Sequence, residues 1–313
     1  MLSRVAHSVY WMSRYLERAE NVARFLNVNI HLMLDLGYSA SSTQWMPLVV
    51  TSGDEDDFKR RYKDSSERNV VRFLTFDKLN PNSIISCISY ARENARTVRE
   101  AIPSDMWEEI NALYHYVLKH SRKRSITDLQ KFYTHIRFAN HTFTGLLENT
   151  MSRGEAWHFA RMGKMLERAD KTARILDVKY FVLLPDPDYV DSPYDTVQWG
   201  AVLKSTNAFE MYRKQFQRIE YKDVSRFLIF DPLFPRSMAY CVNIAKNSLN
   251  AIAEVTKASV KAEEEIAKVQ EMLLSTNVEG VLADGLHEFL DTFQFNLNVV
   301  DQAIYGAFFA FQP

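Results

Sequence analysis

The sequence predicts an all-α protein, a tandem-duplicated helical bundle of two pseudo-two-fold-related halves with about five helices each. Three observations carry that expectation. Nine glycines and nine prolines in 313 residues fall well below the ~7% and ~5% of average usage, which argues against a turn-rich β-sandwich, a collagen-like repeat or a disordered chain. Apolar residues recur at helical spacing, and no stretch alternates at period two for long enough to build a sheet. The chain also repeats itself: residues 11–28 and 161–178 align without a gap, and nine of 18 positions are identical.

The first repeated block keeps Leu16, Glu17, Arg18, Ala19, Ala23 and Arg24 as Leu166, Glu167, Arg168, Ala169, Ala173 and Arg174. In the second, Arg72, Phe73, Leu74, Phe76, Asp77, Leu79, Pro81, Ser83 and Cys87 recur as Arg226, Phe227, Leu228, Phe230, Asp231, Leu233, Pro235, Ser237 and Cys241. Gln44 and Trp45 match Gln198 and Trp199, and a longer loop around Pro185 to Pro187 accounts for the small change in offset. Blocks that keep their order mark a duplication, with halves at 1–150 and 151–313 packed together as one unit.

The first helix is expected from a Ser3 cap to about Leu36, with Met12, Leu16, Ala19, Ala23, Leu26 and Ile30 in helical register, and is roughly 50 Å long at 1.5 Å per residue. Its counterpart is expected at Ser152, where Glu155 three residues on makes a capping box. A less regular stretch over 39–52 leads to an amphipathic segment ending near Phe73. The turn from Phe76 to Pro81 opens the next helix, since proline is tolerated in a first turn. Pro103, Ser104 and Asp105 end that helix and cap another, and Ser125 with Asp128 caps the last helix of the half.

Composition excludes several functions. With 38 basic and 39 acidic side chains the net charge is −1, so the chain is no globally basic nucleic-acid binder. The basic run from Lys119 to Arg124 reads as a solvated helix end. Two cysteines cannot form a disulfide framework, and Cys87 and Cys241, each flanked by apolar residues, read as small core residues. Arg4, His7, Arg14, Glu17 and Arg18 break up any secretory apolar core, and runs such as Phe181 to Leu184 are too short to cross a bilayer. A cytoplasmic protein without a membrane partner is expected. The histidines show no His-x-x-x-His spacing, so no metal is expected. Glycine-rich phosphate loops are absent from the sequence, so no cofactor is expected.

The candidate site residues lie on the polar faces. At 100° per residue, Ser3, His7, Arg14, Glu17, Arg18 and Asn21 share one arc of the first helix, and Lys164, Glu167, Arg168 and Lys171 share the matching arc of the second copy. A Glu-Arg pair kept identical while its neighbours diverge implies a geometric demand. Three readings meet it or dispense with it: a clamp of Glu17 on Arg168 and Glu167 on Arg18 through bidentate pairing, a ligand or catalytic site, or a plain solvated face. A second constellation, Arg92, Arg96 and Arg99 at i, i+4 and i+7, survives only in the first half, where the later copy carries Lys246, Asn250 and Ala253. Such a row repels itself unless an anion lies between its members, which leaves an anion site and a salt-bridged helix interface open. Trp107, Glu108 and Asn111 follow on the next helix, where Trp107 reads as a packing anchor.

The opening Met1 to Ala6, Tyr10-Trp11-Met12, the segment Arg14 to Asn21, Ala91 to Arg96, Val98-Arg99-Glu100 and Trp107-Glu108 with Asn111 together closely resemble the bacterial alpha-E family. That family is all-helical and named for its Glu-Arg motif, and the resemblance covers nearly the whole chain. It highlights Arg14, Glu17, Arg18, Glu167 and Arg168, while Lys164 stands where an exactly symmetric pair of sites would repeat Arg14. Members look like companions of circularly permuted ATP-grasp proteins and transglutaminase-like peptidases, which implies a part in forming, modifying or cleaving peptide or amide bonds. The function expected is an accessory binding and scaffold protein beside an ATP-grasp ligase. The alternative is an enzyme in its own right that uses the Glu-Arg residues for amide transfer or hydrolysis.

Overall fold

The computed structural model describes residues 1–36, 45–122, 128–182, 193–256 and 260–310. Among these residues there are fifteen α-helices and no strand. They divide into two compact units, one of Trp11–Trp157 and the other of Met1–Tyr10 with His158–Pro313.

The first of these holds most of α1 (Ser3–Leu36), then α2 (Met46–Ser52), α3 (Glu55–Arg61), α4 (Glu67–Thr75), α5 (Ile84–Thr97), α6 (Ser104–Ser121) and α7 (Leu129–Thr150). The count exceeds the five expected because short-range breaks cut what periodicity reads as continuous. Residues 46–52 are helical rather than irregular, and they stop at Gly53, whose φ of 83° is the left-handed conformation that glycine adopts without a Cβ clash. The amphipathic segment up to Phe73 is two helices, because Tyr62 turns extended at the end of α3. Ser83 rather than Pro81 starts α5, its hydroxyl accepting from the Ser86 N–H at 3.3 Å. Asp128 caps α7 by accepting from the Lys131 N–H at 2.8 Å, and Ser125 lies outside the described residues. So do Lys123, Arg124, Gln44 and the Pro185 to Pro187 loop, as do the Phe181–Leu184 side chains. Helices α5, α6 and α7 pack in sequence, and α2 packs on α3 and α4. The aromatic core of this unit is centred on Phe73, with Phe58 and Tyr62 edge-on to its ring at 5.1 and 5.6 Å. Buried Tyr133 shares a hydrogen bond with Thr75 at 2.9 Å.

The other unit holds the rest of α8 (Glu155–Val182), then α9 (Pro193–Ser205), α10 (Phe209–Gln215), α11 (Tyr221–Phe230), α12 (Met238–Thr256), α13 (Val260–Leu274), α14 (Val278–Asp284) and α15 (Leu286–Ile304), which runs into a π-helical turn at Tyr305–Phe309. Helix α8 begins at Glu155, so Ser152 lies before the helix rather than capping it. Helices α12 and α14 each pack against α11, and α13 and α14 each pack on α15. Phe227 anchors the core, edge-on to Tyr212 at 5.7 Å and stacked on Phe234 at 4.7 Å. The start of α1 also belongs here, where Tyr10 donates to Asp301 and His7 packs edge-on against Phe309 at 5.3 Å. No helix of the described residues is long and apolar enough to cross a membrane. Cys87 and Cys241 are both buried, as expected of core residues.

Candidate functional site

The polar arc of α1 is only partly solvated: Ser3 is exposed and His7 and Arg18 are half-buried. Its other members Arg14, Glu17 and Asn21, and Glu20 and Arg24 beside it, are as buried as Leu16, Ala19, Ala23 and Leu26 on the opposite side. Polar groups buried in this way need partners, because an uncompensated buried charge costs several kcal/mol, of the order of 3–5. Glu17, 0% exposed, accepts from the Asn140 side-chain amide of α7 and from that of Asn21, each at 3.4 Å, and Asn21 also donates to the Glu17 carbonyl at 2.8 Å. Arg18 is half-buried and donates to Asn82 Oδ1 at 2.7 Å, and the Asn82 amide donates in turn to Asp54 at 2.8 Å. Arg14 lies 4.9 Å over the Trp11 ring and Arg18 lies 5.8 Å over Tyr15, a cation–π arrangement favourable to a partly desolvated guanidinium.

The other Glu-Arg pair sits on α8. Glu167 is likewise 0% exposed and lies 3.9 Å from the Lys171 ammonium. Arg168 donates to the Pro235 carbonyl at 3.1 Å, and Thr172 donates to the Arg236 carbonyl at 2.9 Å, which ties α8 to the turn before α12. Lys164 and Lys171 are also buried. Burial works to raise the Asp170 carboxyl, but Lys171 at 3.2 Å and Arg174 at 3.0 Å outweigh it and hold the carboxyl below its ordinary value.

The Arg92 row meets the electrostatic demand from within. The Glu93 carboxylate lies between Arg92 at 3.0 Å and Arg96 at 2.8 Å, and Arg92 Nε donates to Asn111 Oδ1 at 2.8 Å. Arg92 and Arg99 lie over the Trp107 ring at 5.5 and 5.0 Å, and Arg92 also over Tyr114 at 4.7 Å. Trp107 is half-buried and works as a platform for two guanidinium groups as well as a packing residue.

Two arrangements escaped the sequence reading. The first is Glu20 with Arg24, an ion pair at 0% and 1% exposure. Its i, i+4 spacing was visible, but its burial was not. The second joins Asp177 of α8 to His287 and Asp291 of α15, with one ligand atom from each within 4.8 Å of the others. A histidine-spacing test misses it because Asp177 lies 110 residues from His287. His287 Nδ1 is 2.7 Å from Asp177 and Nε2 is 3.7 Å from Asp291, so each ring nitrogen faces a carboxylate and the cluster suits an imidazolium.

That geometry has a pH consequence. The hydrogen bond to Asp177 raises the His287 pKa above its ordinary 6.5 against a smaller opposing effect of burial, while burial raises the Asp177 carboxyl despite His287. A raised imidazole contributes stability that is fully present below about pH 6.5 and is lost as pH rises through the raised value. Asp177 acts with the same sign in a lower window that starts at its ordinary 3.8. The difference in unfolding midpoint between wild type and Asp177→Asn is therefore expected to shrink as pH rises from the ordinary 6.5 of a histidine through the raised value of His287. An NMR titration should place His287 above the free imidazole in wild type and lower in the variant. A His287 titration that Asp177→Asn leaves unchanged would dismiss the pairing.

No curated protein and no solved structure matches the chain. Residues 1–309 match the Alpha-E family, described as a predicted alpha-helical domain with a conserved ER motif. The described residues are all-helical, and the Glu-Arg pairs at 17–18 and 167–168 lie on the two longest helices. With the match running from the first residue to 309, this chain belongs to the Alpha-E family.

Proposed function

We propose that the chain is an accessory binding and scaffold protein of a peptide- or amide-bond-forming system. It would act in the cytoplasm with a circularly permuted ATP-grasp ligase and alongside a transglutaminase-like peptidase, without independent turnover. The observation that carries this reading is the state of the motif carboxylates. Glu17 and Glu167 are both fully buried, Glu17 with two side-chain amides within hydrogen-bond reach and Glu167 beside an ammonium. A general acid or base has to reach the proton that it moves. A buried, hydrogen-bonded carboxylate is suited to holding helices in register.

The proposal includes the internal duplication, which local geometry supports. Gly53 and Asn207 occupy aligned positions, and both have positive φ, 83° and 54°. Cys87 and Cys241 donate to the carbonyls of Pro81 and Pro235 at 3.7 and 3.6 Å. Tyr62 stacks on Phe58 at 5.0 Å, and Phe216 stacks on Tyr212 at 4.7 Å.

The test is reconstitution with a circularly permuted ATP-grasp ligase from the same organism. A stable complex is expected, with ATP-dependent ligation that needs both chains. No association, combined with turnover by this chain alone, would overturn the proposal. Glu167→Gln should lower the stability of the chain but change ligation by the folded complex less than tenfold, whereas loss of a general acid or base would cost about 10²–10⁴-fold.

A further inference from the structure

An open groove of roughly 460 Å³ lies where the end of α3 meets the turn that follows α4, within the size range of binding pockets. Asp77 organises it. One carboxylate oxygen accepts from Arg61 at 2.6 Å and from the Tyr62 hydroxyl at 2.9 Å, and the other accepts from the Leu79 N–H at 2.9 Å. Burial and then the Asp77 hydrogen bond push the Tyr62 hydroxyl up to about 12, which keeps it a neutral donor. Arg61 is thus neutralised by Asp77, and by Asp57 besides.

The two remaining cations of the groove are not neutralised. Arg72 and Lys78 are exposed on its lining, and neither side chain has an ion-pair or hydrogen-bond partner among the described residues. Next to Lys78 the turn presents Leu79, 78% exposed and fixed by its backbone N–H, which donates to Asp77. The aromatic residues at the groove are already engaged: Tyr62 is stacked on Phe58 with an interplanar angle of 3°, and Phe76 packs against Phe132 at 5.5 Å. A planar base would find no vacant ring, and no glycine-rich turn offers backbone N–H groups to a phosphate. Two free cations and an exposed aliphatic side chain on one groove match a segment that carries both carboxylates and an aliphatic side chain.

We infer that this groove binds an acidic peptide segment, with its carboxylates on Arg72 and Lys78 and an aliphatic side chain on Leu79. The site is separate from the Glu-Arg motif and does not rest on the function proposed above. The aligned block of the chain supplies an internal control. It keeps Arg226, Asp231 and Leu233 but has Gln215 and Pro232 in place of Arg61 and Lys78. Arg226 is already held by Asp223 at 2.7 Å and Glu279 at 3.0 Å. Acidic-peptide binding is therefore confined to the first block.

Fluorescence anisotropy with a fluorescein-labelled Glu-Leu-Glu-Leu-Glu peptide tests this on the full chain. A saturable, salt-sensitive isotherm is expected, weakened at least about tenfold by the double change Arg72→Glu and Lys78→Glu, and roughly threefold by Leu79→Ser. Arg226→Glu should leave it unchanged. All three groove positions are exposed, so the variants should fold, and circular dichroism checks that they do. A Glu-Ser-Glu-Ser-Glu peptide should bind more weakly. The inference is overturned by lack of saturation at about 1 mM peptide, by undiminished binding to the charge-reversed variant, by equal binding of the serine peptide, or by displacement with inorganic phosphate or ATP at concentrations no higher than those of unlabelled peptide.

Discussion

Glu20→Ala is expected to lower the unfolding midpoint by on the order of 10 °C, from a loss of about 3–5 kcal/mol at roughly 2–4 °C per kcal/mol. The reason is asymmetry. Arg24 is 1% exposed and its ion-pair partner is Glu20, itself 0% exposed, so truncating the carboxylate strands a guanidinium that cannot reach water. Exposed pairs behave differently. Lys59 and Glu55 are 63% and 39% exposed, and Glu55→Ala should leave the midpoint where it is, because solvent already screens both charges. The double change of Glu20 and Arg24 to methionine should recover part of the loss, since matched apolar replacement removes both desolvation costs. Thermal denaturation followed by circular dichroism reads all three. A Glu20→Ala midpoint equal to that of Glu55→Ala would show that the pair carries no buried charge.

Phe73→Ala is expected to cost a similar amount, about 3–5 kcal/mol, for the transfer of a buried ring and the cavity that it leaves. Phe73 is 0% exposed. Phe58 and Tyr62 meet it edge-on, and Arg61 lies 5.1 Å over its ring, so the neighbours that would have to close the void are held by stacking and by the bonds to Asp77. Phe73→Leu retains most of the volume and should cost clearly less. Denaturant unfolding distinguishes the two, and equal midpoint shifts would mean that the site collapses freely around the smaller side chain.

Helices were legible wherever one apolar stripe ran unbroken. Helix α1 spans Ser3–Leu36 because Met12, Leu16, Ala19, Ala23 and Leu26 repeat at the period of a single helix, a pattern contained in the sequence itself. Short helices were harder to read. The stop after α2 depends on the left-handed Gly53, and the break after α3 on an extended Tyr62, each a single-residue event inside a continuing amphipathic pattern. The Glu-Arg motif stood out as a repeated pair, but periodicity assigned Glu17 to a polar arc, and Glu17, with Arg14 and Asn21, proved as buried as the apolar side of the helix. The groove at Asp77 was hidden for another reason. Its lining residues Arg72, Phe76, Asp77 and Leu79 all belong to a block recognised as repeated, yet nothing in their order says that Asp77 spends its charge on Arg61 and leaves Arg72 and Lys78 unmatched.

By itself the sequence determined the all-helical class, the two Glu-Arg pairs and the family, because helical periodicity and motif spacing are properties of residues a few positions apart. Only the tertiary structure decided which charges lose water and which partners meet them: Asn140 brought to Glu17 across 123 positions, Asp177 to His287 across 110, Pro235 to Arg168 across 67. Burial depends on what covers a side chain, and pairing on which helices pack together. Both arise from contacts between distant segments, for which a local repeat of 3.6 residues carries no information.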